Sequence, residues 1–335
     1  MQEPNRDIFP TPAMLERFPN ITPLLKNEAI EAAFNRHEAL SVSGKRWFHR
    51  LGLVSMVLIG GSAIYTIAEA LLFKRAGNPA VSITAAICAA IGISAQIYTL
   101  AAKVKSQWLV NRFACERLRS IKFQAYSLAA TVRDEAELAQ RTRQLTATEL
   151  ARLESELNMG ISIFEAFVPE KCVSVPAPGA GPANPDITGE AMTAFRELRL
   201  LYQDRYAAAE LHRLRENRRV FHSAADILYF SGACLVLLSL LAKIVPDMPE
   251  TLNAWVDFLA ISAFVLSISK TVLDSATLTE PSTARFVRYR EDIAEVERRI
   301  EHGATLDIVV PQMERIALGE LEEFCDASKS INYRL

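Results

Sequence analysis

Five ionisable side chains, Glu69, Asp226, Asp257, Lys270 and Asp274, fall within or just past stretches that are otherwise apolar. A lone charge in hydrocarbon is costly, so such groups pair with one another or mark a watered path. Lys270 and Asp274 are spaced i,i+4, and Asp226 is expected at the same depth on the preceding segment, so an intramembrane charge pair can neutralise Lys270. The competing reading gives the three residues a gating role. Glu69 lies one turn from Lys74 and Arg75 and can reach them or the outer interface. Nothing else in the chain spells a reaction. There is no phosphate-binding glycine loop, nucleophile elbow, zinc-protease helix or dinucleotide fingerprint. His37, His49, His212, His222 and His302 are scattered near membrane edges or on polar faces, and Cys88, Cys115, Cys172, Cys234 and Cys325 lack metal-ligand spacing. The expectation is a non-enzyme with no catalytic residue, no metal and no cofactor, whose cysteines stay reduced.

The elements that carry those charges are four long apolar stretches, Leu51–Phe73, Ala80–Ala102, Ala224–Val245 and Leu252–Leu273. The first has 23 residues, enough at about 1.5 Å per residue to cross a hydrocarbon core of about 30 Å with some tilt. Short turns rich in Pro and Gly, around Asn78-Pro79 and from Pro246 to Glu250, join them into two hairpins. The fold class expected is therefore all-α, an integral membrane protein with two transmembrane helical hairpins and a cytosolic helical bundle. Basic residues crowd the open ends of both hairpins, including Lys45, Arg46, Arg50, Lys103, Lys105, Arg218, Arg219 and Arg285. The positive-inside rule then places both termini and the middle region in the cytoplasm of a bacterial inner (plasma) membrane, multi-pass. Residues 1–40 contain no apolar core of a cleaved signal peptide.

The two hairpins share a weak repeat. Arg46, Phe48 and His49 match Arg219, Phe221 and His222 at an offset of 173, and Arg112-Phe113 match Arg285-Phe286 at the same offset. After the first hairpin, Ala114, Leu118, Ile121, Ala125, Leu128 and Val132 form a narrow a/d seam that asks for a partner helix, and Phe286, Tyr289, Ile293, Val296 and Ile300 do so after the second. These seams predict a homo-oligomer. A capping box at Thr146 and Glu149 predicts a helix start, with a stop near Gly160. An amphipathic helix is expected from Ile187 to about His222, and Pro311 is expected to open a last helix. The segmentation is 1–44, a cytosolic N-terminal segment; 45–165, the first hairpin with its cytosolic helices; 166–186, a linker rich in Pro, Gly and Ala; 187–302, the second hairpin with long flanking helices; and 303–335, a C-terminal helix.

In the second apolar stretch Ser82, Ala86, Ala90 and Ser94 recur every four residues, with Gly92 and Gln96 beside them. Small side chains let helices approach closely, so this face either packs against another helix or lines a pore in an assembly.

Trp108, Arg112 and Glu116, followed by Tyr126, come directly after a two-helix hairpin, and this order resembles the SLATT family, the SMODS- and SLOG-associating two-TM effector domains. The likeness covers roughly residues 35–130. The second hairpin departs from it, with Pro281 and Tyr289 at the positions equivalent to Trp108 and Glu116, and it leaves open a kinship with four-TM effectors of the same systems. What the resemblance implies is a pore-forming or membrane-disrupting effector of a bacterial nucleotide-signalled anti-phage or conflict system, working with a nucleotide synthase or nucleotide sensor. The alternatives are a non-enzymatic membrane scaffold that recruits a cytosolic partner and a small channel or transporter. The lipid bilayer is the surrounding partner in each case, and nucleic acid is not expected.

Cysteines introduced at Asn78 and Asp247 are expected to react with an impermeant reagent from outside, and cysteines within 103–222 only after permeabilisation. Labelling of the middle region in intact cells would reverse the orientation.

Overall fold

The computed structural model describes residues 5–72, 79–174, 182–242, 249–277 and 279–329. Among them every regular element is helical and no strand occurs. In chain order the α-helices are α1 (Pro12–Arg17), α2 (Thr22–Leu25), α3 (Glu28–Leu71), α4 (Pro79–Ala101), α5 (Val104–Gln124), α6 (Glu135–Leu157), α7 (Ile163–Ala166), α8 (Pro185–Phe195), α9 (Leu201–Ala242), α10 (Glu250–Thr277), α11 (Thr279–Glu301) and α12 (Leu306–Lys329). A π-turn, Arg196–Leu200, joins α8 to α9.

The chain divides into two compact units: a helical body of Met1–Gly44, Ser106–Arg213 and Glu280–Lys329, and an apolar unit of Lys45–Lys105, Leu214–Thr279 and Ser330–Leu335. The division runs across the sequence segments rather than along them. Segments 45–165 and 187–302 each give their apolar helices to one unit and their flanking helices to the other. The repeat offset extends to the elements. Adding 173 to the bounds of α3, α4 and α5 gives 201–244, 252–274 and 277–297, and α9, α10 and α11 each begin and end within four residues of those values.

The body is built around α5 and the 3₁₀ turn Ala125–Ala130 that continues it. Every residue from Arg117 to Ala129 is buried, so this segment is enclosed on all sides. The predicted seam residues Ala114, Leu118, Ile121, Ala125, Leu128 and Val132 are all buried against the chain's own helices. The partner that the seam asks for is therefore intramolecular, and the seam no longer argues for a second copy. The capping box is also corrected. Thr146 and Glu149 lie in the middle of α6, where Thr146 accepts a hydrogen bond from Asn27 and Glu149 one from Ser174. The true cap is Asp134, whose carboxylate takes the Glu137 N–H at 2.8 Å. The stop stands: α6 ends at Leu157 and Gly160 follows at φ +60°, a conformation that glycine adopts without a Cβ penalty. Pro311 does not open the last helix, which starts at Leu306. It sits in the second turn, where its missing N–H costs one bond to the Asp307 carbonyl. Asn184 caps α8 from inside the predicted linker, and Cys172 in its first part is buried; residues 175–181 lie outside the described structure.

In the apolar unit, α3, α4 and α10 are long and apolar enough to cross a membrane. In α9 the described apolar run is Tyr229–Leu238, shorter than a span, because much of the third stretch lies outside the described side chains. Side chains such as Val57, Ile83, Ile97, Ile227 and Phe230 are more than half exposed, as they would be on faces meant for lipid. Helices α3 and α4 are held by polar groups and a close approach. Ser55 donates to the Gly92 carbonyl at 2.7 Å and Ser62 to the Ala85 carbonyl at 2.9 Å. A Cβ on Gly92 would stand 2.8 Å from Ile59 and 3.1 Å from the Ser55 carbonyl oxygen, whereas one on Gly61 would meet nothing within 4 Å.

Gly92→Ala is therefore expected to destabilise the detergent-solubilised protein by about 1–3 kcal/mol through overpacking and loss of the Ser55 bond. Gly61→Ala should be neutral or stabilising by up to about 1 kcal/mol. Thermal unfolding of the two variants against wild type checks the pair, and equal shifts would refute the contact.

Candidate functional site

Two groups of polar residues stand out, one in each unit. In the helical body a chain of ion pairs starts at the N-terminal segment. Asp7, 1% exposed, pairs with Arg119 at 2.6 Å; Arg119 also binds both oxygens of Glu116 at 2.8 and 2.7 Å, and Arg112 closes on Glu116 at 2.6 Å. Asn5, held at φ 59°, accepts from Arg119 at 3.0 Å and donates its N–H to the Tyr202 hydroxyl at 3.0 Å. Lys122 donates to the Ile8 carbonyl at 2.5 Å. The turn formed by residues 5–8 is thus fixed largely by charges on α5.

Three more arginines are buried around the same helix. Arg117 donates to the Cys172 carbonyl at 3.2 Å and to Glu156 at 3.3 Å, and faces Glu149 at 3.6 Å. Arg199, on the π-turn, binds Glu314 through two bonds of 2.7 and 2.8 Å and lies 5.0 Å over the ring of Phe123. Arg285 pairs with Glu320 at 3.0 Å between the rings of Phe286 and Phe324. Bidentate geometry and aromatic faces are what offset the loss of water around a guanidinium.

The charges set each other's protonation. Burial alone would push the Glu116 carboxyl up, but the guanidiniums of Arg112 and Arg119 override it and hold it down at about 2. Burial pulls the Lys122 amine down to about 8. Burial, reinforced by the nearby Asp7 carboxylate, pushes the Tyr126 hydroxyl above its ordinary range. Glu116 is thus held ionised, whereas burial pushes the Glu314 and Glu320 carboxyls up against the pull of Arg199 and Arg285.

The residues singled out by the family resemblance all lie here. Trp108 packs edge-on to Phe324 and against Gly44, where an added Cβ would come within 3.1 Å of its Cβ. Arg112 and Glu116 are bonded to each other. Tyr126 is fully buried and stacks on Phe123 at 5.4 Å. Sequence reading passed over Asp7, Arg199, Glu314 and Glu320, and took Arg117, Arg119 and Arg285 only as basic residues at the hairpin ends.

In the apolar unit the stripe Ser82, Ala86, Ala90 and Ser94 is split. Ser82 faces α3, donating to Glu69 at 2.8 Å with the Tyr65 hydroxyl 3.4 Å away, while Ala86, Ala90 and Ser94 are exposed. The side turned to α3 runs through Ala85, Ala89 and Gly92 instead, with Gln96 half-buried. A strict spacing of four advances about 400° for every 360° turn, so the stripe drifts off any one interface within three repeats. Glu69 has found a serine. Lys270 is half-buried, and the side chains of Asp226 and Asp274 lie outside the described residues.

No member of the described residues forms a group of three or more His, Cys, Asp or Glu able to hold a metal ion.

Removing one partner of a buried pair is the test of the charge centre. Arg199→Leu should cost about 3–5 kcal/mol by leaving Glu314 unpaired, with much of that recovered in Arg199→Leu/Glu314→Leu; no recovery in chemical unfolding would show that the pair is not the unit. For Glu116, whose folded pKa is depressed, stability is present above about 4.5 and is lost as the pH falls toward about 2. Arg112→Gln should move the onset of acid unfolding to higher pH. Compared with known families, with curated proteins and with solved structures, the chain finds no match.

Proposed function

We propose that this protein is a non-enzymatic, multi-pass effector of a bacterial inner membrane, whose charged helical body controls self-association of the apolar helices and thereby the permeability of the bilayer. Both termini would be cytoplasmic and the two apolar hairpins would cross the membrane. The observation that carries this reading is the continuity of α3 and α9. Helices of 44 and 42 residues begin in the ion-paired body and run without a break into the apolar unit. A rearrangement of the body's charges thus has a direct covalent path to the apolar helices. The order Trp108, Arg112, Glu116 and Tyr126 adds the likeness to nucleotide-signalled conflict effectors, and with it a nucleotide synthase or sensor as partner.

A membrane scaffold that recruits a cytosolic protein is the second reading. It is favoured by Met159 and Ile161, each 47% exposed on either side of Gly160 at the end of α6.

The face of α4 left uncovered by its own chain supplies the experiment. Enlarging Ala86 and Ala90 to Leu keeps the helix apolar and disturbs no intramolecular packing, so only an assembly that brings copies together there is affected. On activation the wild type is expected to depolarise cells loaded with a potential-sensitive dye, and the double variant to depolarise them less while remaining in the membrane at wild-type stability. A wild type that changes neither cell potential nor the conductance of a reconstituted bilayer would remove the effector reading and leave the scaffold.

A further inference from the structure

The cytoplasmic end of the first hairpin gathers cations in a stretch of sequence poor in acids. From Ala39 to Cys115 the sequence has one acidic residue, Glu69, and it belongs to the other end of the hairpin, where it bonds Ser82. Against it stand Arg46, Arg50 and Lys103. The hydrogen bonds between α3 and α4 set the level of each. Ser55 with Gly92, Ser62 with Ala85 and Tyr65 with Ser82 are pairs whose residue numbers all add to 147, one antiparallel register. On that register Arg50 stands opposite Ile97 and Arg46 opposite Ala101, the last residue of α4. Lys103 follows two residues later, at a non-glycine position with φ 51°, where the chain breaks between α4 and α5. Arg46, Arg50 and Lys103 are all exposed, and Trp47 between the arginines is 57% exposed.

The depth of this collar identifies its counter-charge. Arg50 and Arg46 precede Leu51, the first residue of the apolar stretch, by one and five positions, so they lie about 1.5 and 7.5 Å outside it along the helix. The headgroup layer on each side of a bilayer is about 5–8 Å thick. Both guanidiniums therefore fall at phosphate level, beside a tryptophan whose ring prefers the same layer. A bulk-water position would leave cations to mobile salt, and a protein partner would have to bring acids into the headgroup layer itself. We propose that Arg46, Arg50 and Lys103, with Trp47 as the interfacial anchor, form a collar that binds the phosphates of anionic phospholipid headgroups. The proposal rests on α3 and α4 crossing a membrane and is independent of whether that membrane is made permeable. Arginine suits this task because its planar fork bonds two phosphate oxygens at once, and at this depth low dielectric on one side strengthens the attraction.

The test uses the full-length protein purified in detergent and placed in nanodiscs of phosphatidylcholine alone or of phosphatidylcholine with phosphatidylglycerol, both leaflets alike so that orientation does not matter. Retained lipid is counted by native mass spectrometry and thermal midpoints are measured in parallel. The wild type should retain phosphatidylglycerol over phosphatidylcholine and unfold at a higher temperature in its presence. Arg46→Gln, Arg50→Gln and Lys103→Gln should each weaken the preference roughly fivefold, with the triple variant near none, while Arg46→Lys/Arg50→Lys retains most of it and reports that folding is intact. Equal retention of the two lipids by the wild type, or an undiminished preference in the triple variant, would overturn the collar. So would loss of the preference on adding millimolar inorganic phosphate, since that would make the site one for free anions. Failure of the protein to enter nanodiscs would instead refute the membrane-spanning reading on which the proposal rests.

Discussion

A guanidinium withdrawn from water must find its acid within bonding distance, and the helical body is arranged so that five of them do. Arg117, Arg119, Arg199 and Arg285 draw in partners from separate parts of the chain, Asp7 from the N-terminal segment, Glu149 and Glu156 from α6, Glu314 and Glu320 from α12, while Arg112 closes on Glu116 of its own helix. Such pairs contribute little net stability over a well-packed apolar core of the same shape, because desolvation consumes most of the attraction. They are intolerant of the wrong partner, however. A helix bundle held by oil-like contacts alone can slide or re-pair, whereas each arginine here accepts one docking of its neighbour. The aromatic rings under Arg199 and Arg285 add a second geometric condition to the same choice.

The apolar unit works under the opposite constraint. Its isoleucines and valines stay exposed, and what holds α3 to α4 is the set of serine-to-carbonyl bonds and the close approach at Gly92. Helices α9 and α10 use the same device, with Gly232 against Ala260 and Ala263, and α3 meets α10 with Gly60 beside Ser269. Small residues serve as seats for backbones here, each at one position rather than along a continuous stripe.

Helical class and apolar segments were legible because length and hydropathy are local properties: the 23 apolar residues Leu51–Phe73 leave few alternatives. The repeat was visible for a related reason, since Arg112-Phe113 and Arg285-Phe286 flank hairpins of equal length. The interior of the body was not legible. Reading a seam at Leu118 and Ile121 assumes that the residues beside them face water, and Arg117 and Arg119 are buried instead. A charge enclosed by pairing is indistinguishable in sequence from one that is solvated, because its partner can lie more than a hundred residues away, as Asp7 does from Arg119 and Arg199 from Glu314. Thr146 and Glu149 failed for a similar reason. Their spacing fits a cap, but Asp134 had already started the helix, and their side chains were drawn into tertiary bonds.

The π-turn at Arg196–Leu200 has its own implication. It puts Leu198, Arg199 and Leu200 all in the interior, three consecutive buried positions that a regular turn would spread around the axis. A turn of π-helix takes in one more residue than a turn of α-helix, so the five residues here advance about as far around the axis as four would in an α-helix. The extra residue is absorbed in the wider turn, and α9 keeps the phase in which Tyr202 meets Asn5 and Gln203 meets Tyr289. Deleting one residue between Phe195 and Leu201 would remove the widening and leave that phase nearly intact, so the loss would fall on Arg199 and its bonds to Glu314 and not on the helix beyond.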